Sequence, residues 1–196
     1  MKNPATASVQ PYMIWKDTQH RFGLISVILH WVLAFVILGL FALGLYMVGL
    51  TYYDRWYQTA PNIHRSLGVI VGALMVFRVV WRAINIHPEA QGVSWERIAA
   101  KIVHHLSYLL IFAIIVSGYL ISTAKGQPVA VFGWFEIPAL ISGIDNQEDI
   151  AGLVHELLAY GMVGLVGLHA AAALKHHFID RDSTLTRMLG MRSMRE

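Results

Sequence analysis

The sequence predicts an all-α integral membrane protein: an antiparallel four-helix bundle, one membrane domain over residues 1–196, with both termini on the cytoplasmic side. Three observations lead there. From Leu24 to Leu50 the chain runs 27 residues without a charge, longer than the ~20 apolar residues that cross a ~30 Å hydrocarbon layer as a helix. Of the 196 residues, 56% are hydrophobic and 14% charged, too few charges to clothe a soluble domain of this size. The 15 lysines and arginines also segregate by side, as basic residues retained in the cytoplasm do.

The first span, Phe22–Leu50, has too long an apolar core to be a signal peptide and no small-residue cleavage site after it, so it is expected to stay. A short link, Thr51–Pro61, leads to the second span, Asn62–Arg82. A polar link around Asn85–Arg97 precedes the third, Ile98–Ala124. The longest link, Lys125–Asp149, ends in Asp145-Asn146-Gln147-Glu148-Asp149, which offers N-cap candidates and first-turn acids to the fourth span, Ile150–Phe178. Within the spans, Gly68 and Gly72 form a G-x-x-x-G pair that predicts close helix packing.

With the N-terminus inside, twelve basic residues fall on the cytoplasmic side: Lys2, Lys16, Arg21, Arg78, Arg82, Arg97, Lys101, Lys175, Arg181, Arg187, Arg192 and Arg195. Three fall outside: Arg55, Arg65 and Lys125. Tyr52, Tyr53, Trp56 and Tyr57 mark one outer boundary, and Trp15, Trp81 and Trp95 lie near the inner one. The net charge of +3 thus reports topology. No nucleic-acid partner and no obligate protein partner is expected.

Composition also limits the chemistry. There is no cysteine, which excludes disulfides, iron–sulfur clusters, thiolate zinc sites and covalent c-type haem. Ten histidines remain. Four lie at membrane depth, where an ionisable side chain is costly and marks a functional candidate: His30, His64, His155 and His169. Any one alone is equally read as a neutral histidine bonded to a neighbouring helix.

Spacing gives the set its meaning. His155 and His169 are 14 residues apart, which returns them to within about 40° of one helical face at depths roughly 21 Å apart. Topology pairs His64 with His155 near the outer surface and His30 with His169 towards the inner one. Two facing imidazole pairs without cysteine suit two non-covalent b haems with six-coordinate iron. Such iron keeps no open position, so its task is outer-sphere electron transfer. A zinc or di-iron site would need three or four ligands at one depth, and Glu156 is the only acid well inside a span.

His176, seven residues after His169, lies about 20° off the same stripe and roughly 10 Å nearer the cytoplasm. Arg78 stands 14 residues after His64. Both have two readings. They snorkel to lipid phosphates, or Arg78 pairs with a propionate of the inner haem while His176 hydrogen-bonds a quinone carbonyl. One of His104 and His105 can face inward, and spacing does not choose between them.

Several motifs carry a family resemblance: Trp15-Lys16-Asp17-Thr18 leading to Arg21-Phe22-Gly23 and His30-Trp31; His64-Arg65-Ser66-Leu67-Gly68; Phe132-Gly133 with Pro138; His155-Glu156; Gly167-Leu168-His169-Ala170-Ala171-Ala172 continuing to His176-His177; and the tail Asp182-Ser183-Thr184-Leu185-Thr186-Arg187-Met188. On these, almost the whole chain resembles the bacterial cytochrome b561 family, small four-helix di-haem cytochromes of the inner membrane. The resemblance implies two b haems on His30, His64, His155 and His169. In the family's superoxide-oxidising branch it further implies that an electron taken from superoxide at the periplasmic face passes to ubiquinone near the cytoplasmic side, with His176 at the quinone. In the third span that branch has two histidines three apart, where this chain has Lys101 and His104.

The leading expectation is therefore a superoxide:ubiquinone oxidoreductase, with Arg65, Arg55 and Lys125 either steering the anionic substrate, in a field that Asp145, Glu148 and Asp149 weaken, or simply anchoring the outer interface. A cytochrome module serving a periplasmic protein donor is the first alternative. A non-enzymatic metal transporter or haem carrier is the second, disfavoured because the spans lack a continuous polar path.

Overall fold

The computed structural model describes residues 15–190, so Lys2, Arg192 and Arg195 of the charge count lie outside the described residues. Four long helices form: α1 (Leu24–Met47), α2 (Thr59–Ile84), α3 (Ser94–Thr123) and α4 (Gln147–Phe178). A two-stranded antiparallel hairpin, β1 (Val129–Val131) and β2 (Phe135–Ile137), interrupts the third link, and a short helix, α5 (Thr184–Met188), follows α4. The four long helices are long and apolar enough to cross a membrane and match the four expected spans. Their outer faces show Phe35, Val80, Leu109, Leu157 and Leu168, side chains that lipid covers and water would not.

Backbone packing is tightest between α3 and α4 and between α1 and α2, with α2 also against α3. The α1–α4 wall is spanned by side chains, as where Phe41 meets Tyr160 edge-to-face at 5.5 Å. Leu33, Val71, Met75, Ile111 and Met162 form the buried centre. Met162 lies seven residues from both His155 and His169, so this apolar layer sits between the two histidine depths. Gly72 carries out the packing expected of the glycine pair, with Ile115 of α3 at 3.6 Å from where a Cβ would stand, an ordinary contact; Gly68 faces open space.

The helix ends are satisfied by distant groups. Asp17 accepts the Gly23 N–H (2.6 Å) and the Ser26 hydroxyl (2.8 Å), while Ser26 accepts Trp81 Nε1–H (3.1 Å), which ties the start of α1 to α2. At α4 one of the expected N-cap candidates takes the position. Asn146 occupies that position in the left-handed region (φ 56°) without capping through its side chain. Buried Gln147 acts instead, donating to the Leu120 carbonyl (2.9 Å) and so fastening α4 to α3. Glu148 and Asp149 do lie in the first turn, where the helix dipole favours negative charge.

The hairpin was not foreseen. Its turn needs positive φ at Phe132 (49°) and Gly133 (73°), and such a conformation strains a phenylalanine. Buried Ser66 of α2 holds it there, accepting the Phe132 N–H at 3.0 Å and donating to the Ala130 carbonyl at 3.4 Å. At the opposite end of the bundle, α5 and the α2–α3 link form a cap. Trp31 Nε1–H donates to the Met188 carbonyl (2.8 Å), Gln91 and Ser183 exchange two bonds (2.8 and 3.0 Å), and buried Arg187 donates to the Glu89 carbonyl (3.1 Å) above the Phe22 ring.

Candidate functional site

All four membrane histidines point into the bundle, and they meet in the expected pairs. His64 of α2 and His155 of α4 have ring centroids 6.1 Å apart, and His30 of α1 and His169 of α4 have theirs 6.3 Å apart, with an interplanar angle of 66° in both cases. A metal bonded to two opposed imidazoles at about 2 Å per nitrogen sets the ring centroids about 6 Å apart. Both pairs fit that spacing. His64 Nδ1 is also buried without a hydrogen-bond partner.

The rings are oriented by the neighbouring helices. His155 Nδ1 lies 2.9 Å from the Ile114 carbonyl oxygen, with the Ser117 hydroxyl at 3.2 Å. A carbonyl only accepts, so Nδ1 carries the proton and Nε2 is free to ligate. Gly118 makes the approach possible, because a Cβ there would stand 3.1 Å from His155 Cε1; beside His64, a Cβ on Gly44 would find a comfortable 3.5 Å.

The inner pair has company. His104 turns inward, its ring 5.4 Å from that of His169, closer than opposed ligands on one metal. His105 is exposed and donates to the Lys101 carbonyl (2.7 Å). This resolves the ambiguity left by the sequence, where a signal existed: His104, Tyr108, Ile111, Ile115 and Gly118 follow one helical stripe. Arg78 reaches the same cluster, donating to Tyr108 Oη (3.2 Å) and lying 3.4 Å from His30 Nδ1. Its guanidinium is thus inside the bundle beside the inner pair, as pairing with a propionate there requires.

His176 lies further along, at the cap. Its Nδ1 is 2.6 Å from Asp182 Oδ2 and 3.1 Å from Asp180 Oδ2. Lys175 binds Glu96 (2.5 Å) and Asp180 (2.7 Å). Glu96, His176 and Asp180 place ligand-type atoms within 4.8 Å of one another, and the Lys175 ammonium already pairs with both acids. Partial burial works to raise the Asp182 pKa; the Thr184 backbone and side chain and His176 outweigh it, leaving that carboxyl below its ordinary range. Gly92 closes the α2–α3 link over this group. Its φ of +88° and a Cβ position 3.0 Å from His176 Cε1 admit no side chain. Sequence reasoning missed Asp182 and Gly92 as parts of this site.

At the outer end, Arg55 and Arg65 are exposed, Arg65 bonded to Asn62. Lys125 is ion-paired with Glu148 at 2.8 Å, and that carboxylate raises its pKa. A carboxylate thus stands beside this one of the three outer basic residues. Glu156 is exposed beside His155.

A family model described as prokaryotic cytochrome b561 matches residues 21–191. Cytochrome b561 homolog 2 of Escherichia coli (strain K12) is 48% identical over 184 residues, 92% of this chain and 97% of that protein. Cytochrome b561 homolog 1 of the same organism is 27% identical over 179 residues, covering 88% and 99%. A probable superoxide oxidase CybB of Yersinia pestis is 28% identical over 172 residues, covering 86% and 96%.

Proposed function

Since the chain belongs to the prokaryotic cytochrome b561 family, and is thereby a multi-pass electron-transfer protein of the bacterial inner membrane that uses b-type haem, we propose that it holds two haems and oxidises superoxide at the periplasmic side while reducing ubiquinone at the cytoplasmic side. The observation that carries this reading is the repeated geometry of the histidine pairs, 6.1 and 6.3 Å between rings, at two depths on one face of α4.

When bound, haem supplies a one-electron carrier whose potential the surrounding protein tunes. The residues then divide the work. His64 and His155 hold the outer group, and the Ile114 carbonyl keeps His155 in the ligating tautomer. His30 and His169 hold the inner group, with Arg78 placed to neutralise a propionate. The apolar layer through Met75 and Met162 keeps water from the space between them. Arg55 and Arg65 attract the anionic substrate. Two superoxide ions lose one electron each to leave two dioxygen molecules, and one quinone takes both electrons with two protons to become quinol. His176, shielded beneath Gly92, faces the quinone. The protein named as a probable superoxide oxidase supports this substrate at 28% identity.

A second reading, electron transfer from a periplasmic protein donor to quinone, is favoured by the relative at 48% identity, whose name carries no substrate. Stopped-flow mixing of the haem-loaded protein with superoxide decides between them. Haem reduction faster than uncatalysed superoxide loss, followed by reoxidation on adding ubiquinone, is expected; no reduction by superoxide sinks the first reading and leaves the second.

A further inference from the structure

Taking the quinone reading of His176 as its basis, we infer that His176 supplies protons to the quinone in addition to binding it, and that Asp182 is the positioning residue that keeps the imidazole in its charged, donating form. His176 Nδ1 faces carboxylate oxygens at 2.6 Å (Asp182) and 3.1 Å (Asp180). A carboxylate only accepts, so Nδ1 carries a hydrogen. In a neutral imidazole the other nitrogen, Nε2, is then a bare lone pair. A quinone carbonyl oxygen also only accepts, and two acceptors cannot bond. Only the imidazolium can hold Asp182 through Nδ1–H and the quinone through Nε2–H together.

Charged groups from several elements face the ring. Glu96 faces it from α3, Lys175 from its own helix, Asp180 and Asp182 from the connection after α4, and Arg187 of α5 acts on Asp182. Lys175 engages Glu96 and Asp180. Asp182 is therefore the carboxylate devoted to His176, and its depressed pKa keeps it an anion at neutral pH. The His176 side chain is only 13% exposed and Gly92 covers one edge, so the proton is held out of bulk water yet remains replaceable from it.

The step balances. When electrons reach the quinone, the Nε2–H bond breaks and an O–H bond forms, leaving neutral imidazole still bonded to Asp182. A cytoplasmic water-borne proton recharges Nε2, and the ring serves the second oxygen in the same way. Two electrons from two superoxide ions and two protons by this route complete one quinol.

The test follows quinone-driven reoxidation of reduced haem in the full-length protein in lipid nanodiscs, with a soluble ubiquinone analogue, from about pH 5.5 to about pH 9.5. In the wild type, KM for the quinone rises along a basic limb as the imidazolium is lost. In Asp182→Asn that limb moves to lower pH, because an opposite charge beside the ring is gone. Asp182→Glu, which keeps the charge, holds the limb in place. His176→Gln abolishes the limb and raises KM at every pH. A limb unmoved in Asp182→Asn, or a uniform loss at all pH values, overturns the inference and leaves the quinone reading standing. Unaltered quinone kinetics in His176→Gln overturn the quinone reading itself.

Discussion

His155 on α4 donates its Nδ1–H to the main-chain carbonyl of Ile114 on α3, 2.9 Å away and 41 residues earlier in the chain. One hydrogen bond thereby joins the most closely packed helix pair and leaves Nε2 as the imidazole nitrogen free to ligate. Because Gly118 gives the ring its passage, Gly118→Ala brings a methyl to 3.1 Å from Cε1 and pushes the ring off its carbonyl. Disturbing such an orienting contact costs about 10–100-fold in metal-group affinity. Gly118→Ala is expected to purify with close to half the wild-type haem, and Gly44→Ala, where the added methyl has 3.5 Å, with the full amount. Pyridine haemochrome assays on both variants measure this.

His104 lies nearer His169 than His30 does, yet its 5.4 Å ring separation is too short for a shared axial metal. On the proposed two-haem reading, replacing His30, His64, His155 or His169 with alanine should each remove about one of two haems, the loss expected when a ligand of that haem is deleted. His104→Ala should retain both and shift only the potential of the inner one. Haem stoichiometry with a redox titration separates these outcomes. A His104→Ala protein lacking a haem would refute the assignment of the inner pair.

The ion pair between Lys125 and Glu148 at 2.8 Å makes a distinction among the outer basic residues. Arg55→Gln and Arg65→Gln should each slow haem reduction by superoxide by about two- to tenfold at low salt, with the difference fading as ionic strength rises. Lys125→Gln should change little. Equal effects from all three would show that net charge, and not position, governs the approach.

Ser66 is almost fully buried and supports the strained Phe132 turn through a 3.0 Å bond. Ser66→Ala leaves that buried N–H unpaired, at a cost of about 1–3 kcal/mol. The loss should be local, visible as faster hydrogen exchange across residues 129–137 with the helices unchanged.

Acid should release the cytoplasmic cap. Asp182 has a folded-state pKa below its ordinary value, so its stabilising bonds to Thr184 and His176 are fully present above the unfolded carboxyl pKa of about 4 and are lost as pH falls through the depressed value. Hydrogen exchange of residues 183–190, corrected for intrinsic rates, should show protection that fails on the acid side. Asp182→Asn should flatten that dependence.

The sequence by itself determined the spans, their order and the four candidate ligand histidines. Apolar length and the helical period are local properties, so a 27-residue uncharged run and a 14-residue histidine spacing can be read without knowing what each helix touches. Only the tertiary structure decided which of two adjacent histidines faces inward, which carbonyl orients His155, and which carboxylate holds His176. It also decided that Gln147 and not an acid fastens α4, and that a hairpin folds onto Ser66. Each of these depends on which faces meet across long stretches of chain, as with Ile114 and His155, 41 residues apart. A helix apolar on nearly all sides carries no stripe to announce its neighbours, so depth and the histidine pairing were legible, while the contacts that orient each side chain were not.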